Sequence, residues 1–197
     1  MLKYFTYGLW VLVLSSVAVS ASPQAVPKSA AVSEDASRVL ALDALLERLA
    51  ASADADEADE LEARIWSYWA ASGSDSVDLL MSYGLEALEA QELEEALRIF
   101  NHITSLAPGY AEGWHKRSAV NFLLDDYQGS LGDLEHVLRL EPRHFGALSG
   151  LAIILQELGD EQGALAAYRK ALAVRPFLPG AQEAVAELSV AVEGRGI

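Results

Sequence analysis

The chain has 197 residues, of which 52% are apolar, and carries 14 basic against 29 acidic side chains, for a formal net charge of −15. This length suits one domain, and the apolar content is enough for a buried core. The absence of cysteine excludes disulfide scaffolds, thiolate zinc sites and cysteine nucleophiles, and the negative charge argues against a nucleic-acid partner, because phosphate binding requires clustered Lys and Arg side chains.

The amino-terminal 21 residues have the layout of a secretory signal peptide. Lys3 supplies a positive charge, the stretch from Leu9 to Val19 is uncharged, and Ala21 closes a small-residue cleavage site. Eleven helical residues span about 16 Å, too short for a hydrocarbon core of about 30 Å, although an extension back to Phe5 leaves an uncleaved anchor open. We expect export to the periplasm of a Gram-negative bacterium, with cleavage after Ala21, and membrane contact only where the segment is uncleaved.

Two helices are predicted next. Residues 22–36 contain two prolines and no periodic apolar pattern, so we expect a flexible leader there. Over 37–72, apolar side chains recur at intervals of three and four, which predicts an antiparallel helical hairpin whose second helix has Asp54 or Asp56 as its N-cap. The apolar positions are Val39, Leu42, Leu45, Leu46 and Leu49, followed by Leu61, Ile65, Trp66 and Trp69.

Beyond Ser76 the sequence repeats with a period of 34 residues, marked by Pro108, Pro142 and Pro176. Within each period the helical apolar spacing is broken once, which predicts helix, turn, helix over 77–110, 111–144 and 145–178. Equivalent positions share their character: large and apolar at Leu80, Trp114 and Leu148; small at Gly84, Ser118 and Ala152 and again at Ala96, Ser130 and Ala164; and ring or Leu at Phe100, Leu134 and Tyr168.

This pattern resembles the tetratricopeptide repeat (TPR), over 102 of the 197 residues. It departs from the family where Ala87 and Asn121 stand in place of a common aromatic residue. The resemblance implies an all-α fold, a right-handed superhelix of antiparallel helical hairpins. The hairpin at 37–72 is then a candidate degenerate fourth unit, residues 179–192 a capping helix, and residues 193–197 a disordered tail.

Motifs for catalysis and ligand chemistry are absent from the sequence. It has no Gly-x-Ser-x-Gly elbow, no His-Glu-x-x-His pair and no phosphate-binding glycine loop. His102 and His136 share a register on successive second helices, and we favour an exposed helix face over a shared metal. The acidic runs lack the central glycine of a calcium loop. We therefore expect no enzyme activity, no cofactor and no metal.

One charged residue stands in a packed register. Arg117 occupies the position held by Tyr83 and Leu151 in the other units, and Asp133 lies in the second helix of the same unit. We predict an ion pair within the repeat, in preference to a ligand-binding arginine.

The resemblance also implies where a partner would bind, because the first helices of TPR arrays line the inner, concave surface. The candidate residues there are Met81, Leu85, Leu88, His115, Ala119, Phe122, Ile153 and Gln156. These positions lean apolar, and exposed apolar patches mark interaction sites. The first and third inner helices contain no Lys or Arg, so the charged clamp by which some family members hold the carboxyl terminus of chaperones is missing. An apolar or amphipathic helical segment is the better fit.

We therefore expect a non-enzymatic adaptor or scaffold that binds a peptide or helix of another protein. The alternative is a self-associating structural protein whose apolar surface closes a homo-oligomer. Whether the hairpin at 37–72 or the leader itself fills the concave surface is open from the sequence alone.

Overall fold

The computed structural model describes residues 28–194, with side chains from Ala36 onward. The predicted signal peptide at 1–21, the first part of the leader and the last three residues of the predicted tail lie outside the described residues. In the described part the chain forms nine α-helices: α1 Lys28–Ala50, α2 Ala55–Ala70, α3 Asp75–Glu89, α4 Leu93–Leu106, α5 Ala111–Leu123, α6 Tyr127–Leu140, α7 Phe145–Glu157, α8 Glu161–Val174 and α9 Ala181–Glu193.

The first helix begins earlier than the sequence pattern predicts. α1 starts at Lys28, so residues 28–36, expected to be flexible, form its first turns. Pro27 is the last helix breaker before this stretch, and the Ala, Ser, Val and acidic residues that follow contain neither Gly nor Pro. A helix can form in this stretch without an apolar stripe. The absence of a periodic apolar pattern therefore did not predict the structure of residues 28–36.

Three helical pairs, α3 with α4, α5 with α6 and α7 with α8, pack one after another along the chain, and α9 packs on α8. In two of these pairs an aspartate caps the second helix: Asp126 accepts a hydrogen bond from the Gly129 N–H at 2.9 Å, and Asp160 accepts one from the Gly163 N–H at the same distance. The pairs and the terminal helix confirm the predicted all-α superhelix of helical hairpins.

Close contact within each pair depends on small residues. A Cβ atom on Gly84 of α3 would lie 2.7 Å from Cε1 of Phe100 in α4, so only glycine allows this approach. In the next pair, the Ser130 hydroxyl donates a hydrogen bond of 2.8 Å to the Ser118 carbonyl, which joins two of the small positions that repeat in the sequence. The repeated small residues therefore set the distance between paired helices.

The α1–α2 hairpin is not stacked on the first repeat as a fourth unit. It packs instead against the second and third units, with α2 against α5, an inner helix, and α1 against α8, the second helix of the third unit. The repeat register explains why: Glu62 and Trp69 lie 34 residues before Ala96 and Ile103, and a carboxylate and an indole do not fit positions that hold Ala and Ile in a tight helical pair.

None of the helices in the described residues combines the length and the apolar character that a membrane span requires.

Candidate functional site

Four of the eight predicted binding residues surround one cavity on the concave face. His115, Ala119 and Phe122 of α5 and Ile153 of α7 line a space of about 140 Å³. The remaining lining residues are Ser118, Ser130, Leu134, Gly150 and Ile154. The Ile153 side chain is 42% exposed at this site. The cavity is therefore open to solvent and is walled mostly by apolar atoms.

The other four predicted residues do not join this cavity. Met81 is buried in the core of the first unit, and Leu85 and Leu88 pack against the same core. Gln156 is exposed on α7. The predicted binding wall is thus divided between a packed first unit and a cavity bounded by the second and third units.

Two tryptophans of α2 cover the end of the concave face next to the cavity. The Trp66 ring stacks on His115 with a centroid distance of 5.9 Å, and the Lys116 ammonium lies 5.4 Å from the centre of the same ring. The Trp69 ring lies parallel to His144 at 4.1 Å. The hairpin therefore occupies part of the surface that the sequence assigns to a partner, and His115 lies at the boundary between the covered and the open parts.

Ion pairs hold the hairpin at its edges. The buried Arg175 guanidinium contacts Asp59 at 2.7 Å and Glu62 at 2.5 Å, both on α2. Arg143 contacts Asp43 of α1 at 2.5 Å. These pairs set acidic side chains of the hairpin against basic side chains of the array.

Beneath the tryptophans lies a buried polar network centred on Glu112 at the start of α5. One Glu112 oxygen contacts the Lys116 ammonium at 2.8 Å, and the other lies 3.3 Å from His115 Nδ1 and 3.2 Å from His144 Nε2. Burial alone would raise the pKa of Glu112, but the hydrogen bonds from His115 and His144, together with the charge of Lys116, hold it well below its usual range. Glu112 is therefore a buried carboxylate.

His144 is held in one neutral tautomer by its two neighbours. Its Nδ1 accepts a hydrogen bond from the Ala147 N–H at 3.1 Å, so the proton must be on Nε2, which faces Glu112. Burial lowers the pKa of His144 to about 4, against the raising effect of Glu112. Both ring nitrogens are thus satisfied without a charge.

This tautomer argues against a metal at the Glu112, His115 and His144 cluster, although the candidate ligand atoms lie within 4.8 Å of one another. A metal at His144 Nε2 needs the lone pair of that nitrogen, which would place the proton on Nδ1, opposite the Ala147 N–H. The Lys116 ammonium on Glu112 adds a repulsive charge. The cluster is best described as a buried hydrogen-bonded network on which α2 packs.

The predicted pair of Arg117 and Asp133 is confirmed. The guanidinium donates two hydrogen bonds to the buried carboxylate, from Nε at 2.9 Å and from a terminal nitrogen at 2.5 Å. It also donates to Asn101 and Thr104 of the preceding unit, at 2.8 and 3.1 Å. The pair therefore joins the first and second units as well as the helices of the second.

His102 and His136 share a register but not an environment. His102 is exposed and lines a groove of about 470 Å³ on the first unit, whereas the His136 ring stacks on Trp114 at 3.9 Å. The expectation of an exposed face holds for His102, and a tryptophan covers His136.

Sequence reasoning missed the residues that join the hairpin to the array. The sequence places Trp66 and Trp69 on the apolar stripe of the second helix without indicating their contacts with the array, and it gives no sign of a buried network at Glu112 and His144. The one available signal was the register mismatch of Glu62 and Trp69, which argues against stacking of the hairpin as a repeat.

Known proteins provide an independent comparison. No family model matches the chain. A TPR repeat-containing protein of Rhizobium etli is 39% identical over 153 residues, which cover 78% of this chain and 75% of that protein. The first TPR of Spaghetti (RPAP3), bound to an HSP90 peptide, is similar with a TM-score of 0.57 at 17% identity and covers 59% of this chain and 93% of that one. PcrH in complex with the chaperone binding region of PopD is similar with a TM-score of 0.52 at 20% identity, over 61% of this chain and 90% of that one. From the repeats, the fold and the relative in Rhizobium etli, we conclude that the chain belongs to the TPR repeat-containing proteins.

Proposed function

We propose that this protein is a non-enzymatic adaptor or scaffold that binds a segment of another protein on the open part of its concave face. The observation that carries the proposal is the 140 Å³ cavity beside the exposed Ile153 side chain. An apolar cavity of about 150 Å³ can hold a benzene ring, so this space suits one apolar side chain of a partner.

The rim of the cavity defines the rest of the partner. Leu123, which follows Phe122 in α5, is 54% exposed, so a second apolar side chain lies on the surface of this helix outside the cavity. A helical segment with one large apolar side chain for the cavity is the partner that this surface fits. The two solved TPR structures above hold an HSP90 peptide and a segment of PopD, which supports peptide binding as the class of function.

The proposed cellular location is the periplasm, since the amino-terminal sequence has the features of a signal peptide with cleavage after Ala21. Sequencing the amino terminus of the protein purified from its own cells tests this proposal. A first residue of Ser22 supports it, whereas an intact Met1 contradicts cleavage.

Photocrosslinking tests the binding proposal. A photoreactive amino acid replaces Phe122 in cells that produce the protein, and the same amino acid replaces Leu140, exposed on α6, as the control. We expect a discrete partner crosslinked from position 122 but not from position 140, and loss of this product when Ile153→Asp is added. Capture that does not depend on Ile153, or only of further copies of the chain, contradicts an adaptor role.

Self-association is the second candidate, because none of the residues that the structure describes covers the outer side of the first unit. Leu79 and Tyr83 of α3 are 53% and 50% exposed, next to the groove of about 470 Å³ on the first unit. Sedimentation velocity separates the candidates. A monomer at high concentration favours the adaptor, and a stable dimer that Tyr83→Glu dissociates favours the structural role.

A further inference from the structure

The contact between the α1–α2 hairpin and the array has the character of a bound ligand on a receptor surface. The array presents cations at Lys116, Arg143 and Arg175, and the hairpin meets them with an indole ring or with carboxylates. Tyr110 of the array donates a hydrogen bond of 2.6 Å to the last carbonyl of α2, at Ala70. Charge, ring and hydrogen-bond complementarity therefore all contribute to one helix-binding surface.

The contact between the hairpin and the array also leaves buried polar atoms without partners. Among the residues with described side chains, two buried side-chain polar atoms lack a hydrogen-bond partner: Nε1 of Trp69 and Nε of Arg175. Both lie in the contact between the hairpin and the array. Because an unpaired buried donor loses its hydration without compensation, each of them weakens the docked state.

Each side of this contact keeps apolar packing of its own. Within the hairpin, Leu45 and Leu49 of α1 belong to one cluster with Leu61 and Ile65 of α2, and Phe145 of the array is buried in the same cluster. The clusters centred on the first, second and third repeats contain no hairpin residue. A four-residue connection from Ala71 to Ser74 joins the two bodies. Separation therefore exposes Phe145 and the rest of this interface, but leaves the three repeat clusters and the contacts between α1 and α2 packed.

From these observations we propose that the hairpin is an exchangeable occupant of the concave face, and that its competitor is an acidic amphipathic helix with a pair of aromatic side chains. This inference deepens the proposed function, because it names a partner class for the concave face and a way in which access to it is regulated. The competitor would replace the contacts of the hairpin: its carboxylates would pair with Arg175 and Arg143, and its aromatic rings would stack on His115 and His144. The tethered hairpin has a high effective concentration, so a partner must displace it.

A peptide of residues 36–72, carrying a fluorophore at its amino terminus, is the probe. Its binding to the wild-type chain is compared with its binding to the Trp66→Ala, Trp69→Ala chain, whose own hairpin is weakened while its receptor surface is intact. We expect at least tenfold tighter binding to the double variant by fluorescence anisotropy, because the competing hairpin is impaired.

Two peptide variants and one receptor variant test which contacts the binding of the peptide requires. Asp59→Lys with Glu62→Lys in the peptide should abolish binding, and Arg64→Ala, at an exposed position, is the matched control that should leave it unchanged. In the receptor, Gly146→Ile should also abolish binding, because a Cβ at Gly146 lies 3.1 Å from the Trp66 ring.

Binding of equal strength to both chains, no binding to the double variant, or binding that survives the charge reversal overturns the inference. Far-UV circular dichroism establishes that the double variant is folded. If it is not, Asp59→Ala with Glu62→Ala weakens the hairpin from the same side and takes its place. The peptide result does not depend on the crosslinking from position 122, so the inference and the proposed function can fail separately.

Discussion

The indole of Trp69 and the imidazole of His144 stack face to face, with centroids 4.1 Å apart and ring planes 9° apart. The first ring belongs to the hairpin and the second to the end of the second repeat. The neutral His144 ring is fixed in this position by its two nitrogens, since Nδ1 accepts from the Ala147 N–H and Nε2 faces Glu112. Protonation of Nδ1 would remove the acceptor of the Ala147 N–H, so the position of the ring beneath Trp69 is coupled to the charge of this buried side chain.

Acid should destabilise the protein through His144. Its pKa of about 4 in the folded chain lies below the usual 6.5, so between these values the unfolded chain binds more protons and stability falls as pH decreases. Glu112, whose pKa is lowered, adds a loss below its usual pKa of 4.5. The other groups facing His144 are His115 and Lys116 of α5, and α2 contributes only indole rings.

The measurement is urea unfolding at pH 7.5 and pH 5. We expect the free energy of unfolding to fall by about 2 kcal/mol more in the wild type than in His144→Asn. His102→Asn, at an exposed histidine, should keep the wild-type dependence. An unchanged pH dependence in His144→Asn would show that His144 is not the responsible group.

The Arg117 pair should be important for stability. Arg117→Leu leaves the Asp133 carboxylate buried without its cation, and we expect a loss of about 3 kcal/mol in the free energy of unfolding. The matched control is Arg98→Leu, since Arg98 pairs with Glu95 on the surface and its removal should have no resolvable effect. Equal losses in the two variants would contradict a special role for the buried pair.

Small residues between paired helices should not tolerate enlargement. Gly84→Ala forces a methyl group against the Phe100 ring, which should cost about 1–3 kcal/mol by overpacking. In α6, a Cβ at Gly132 meets no neighbour within 4 Å, so Gly132→Ala should stabilise the protein by about 1 kcal/mol through helix propensity. Thermal unfolding of both variants is the test, and a stabilised Gly84→Ala would contradict the packing.

The repeat region could be predicted because its information is local and periodic. The spacing of Pro108, Pro142 and Pro176 fixes the units, and the small residues within them fix which helix faces meet. The Arg117 pair was predictable for the same reason, since a charged residue in a packed register needs a partner one helix away.

The position of the hairpin could not be predicted in the same way. Its apolar stripe is compatible with stacking on the first unit and with packing against the second and third units, and the choice rests on contacts between residues far apart in sequence. Arg175 and Asp59, for example, are separated by 116 positions. For this reason the sequence did not reveal that His115, predicted to bind a partner, also lies against Trp66 of the hairpin.

Crosslinking within the chain tests the position of the hairpin most directly, because the sequence has no cysteine of its own. One variant carries Asp43→Cys and Arg143→Cys, and a second carries Asp43→Cys and Arg98→Cys, with Arg98 beside the uncovered groove of the first unit. A short bismaleimide should join the first pair within one molecule and leave the second pair unlinked. A crosslink in the second variant but not in the first would place the hairpin on the end of the array and leave the concave face without its occupant.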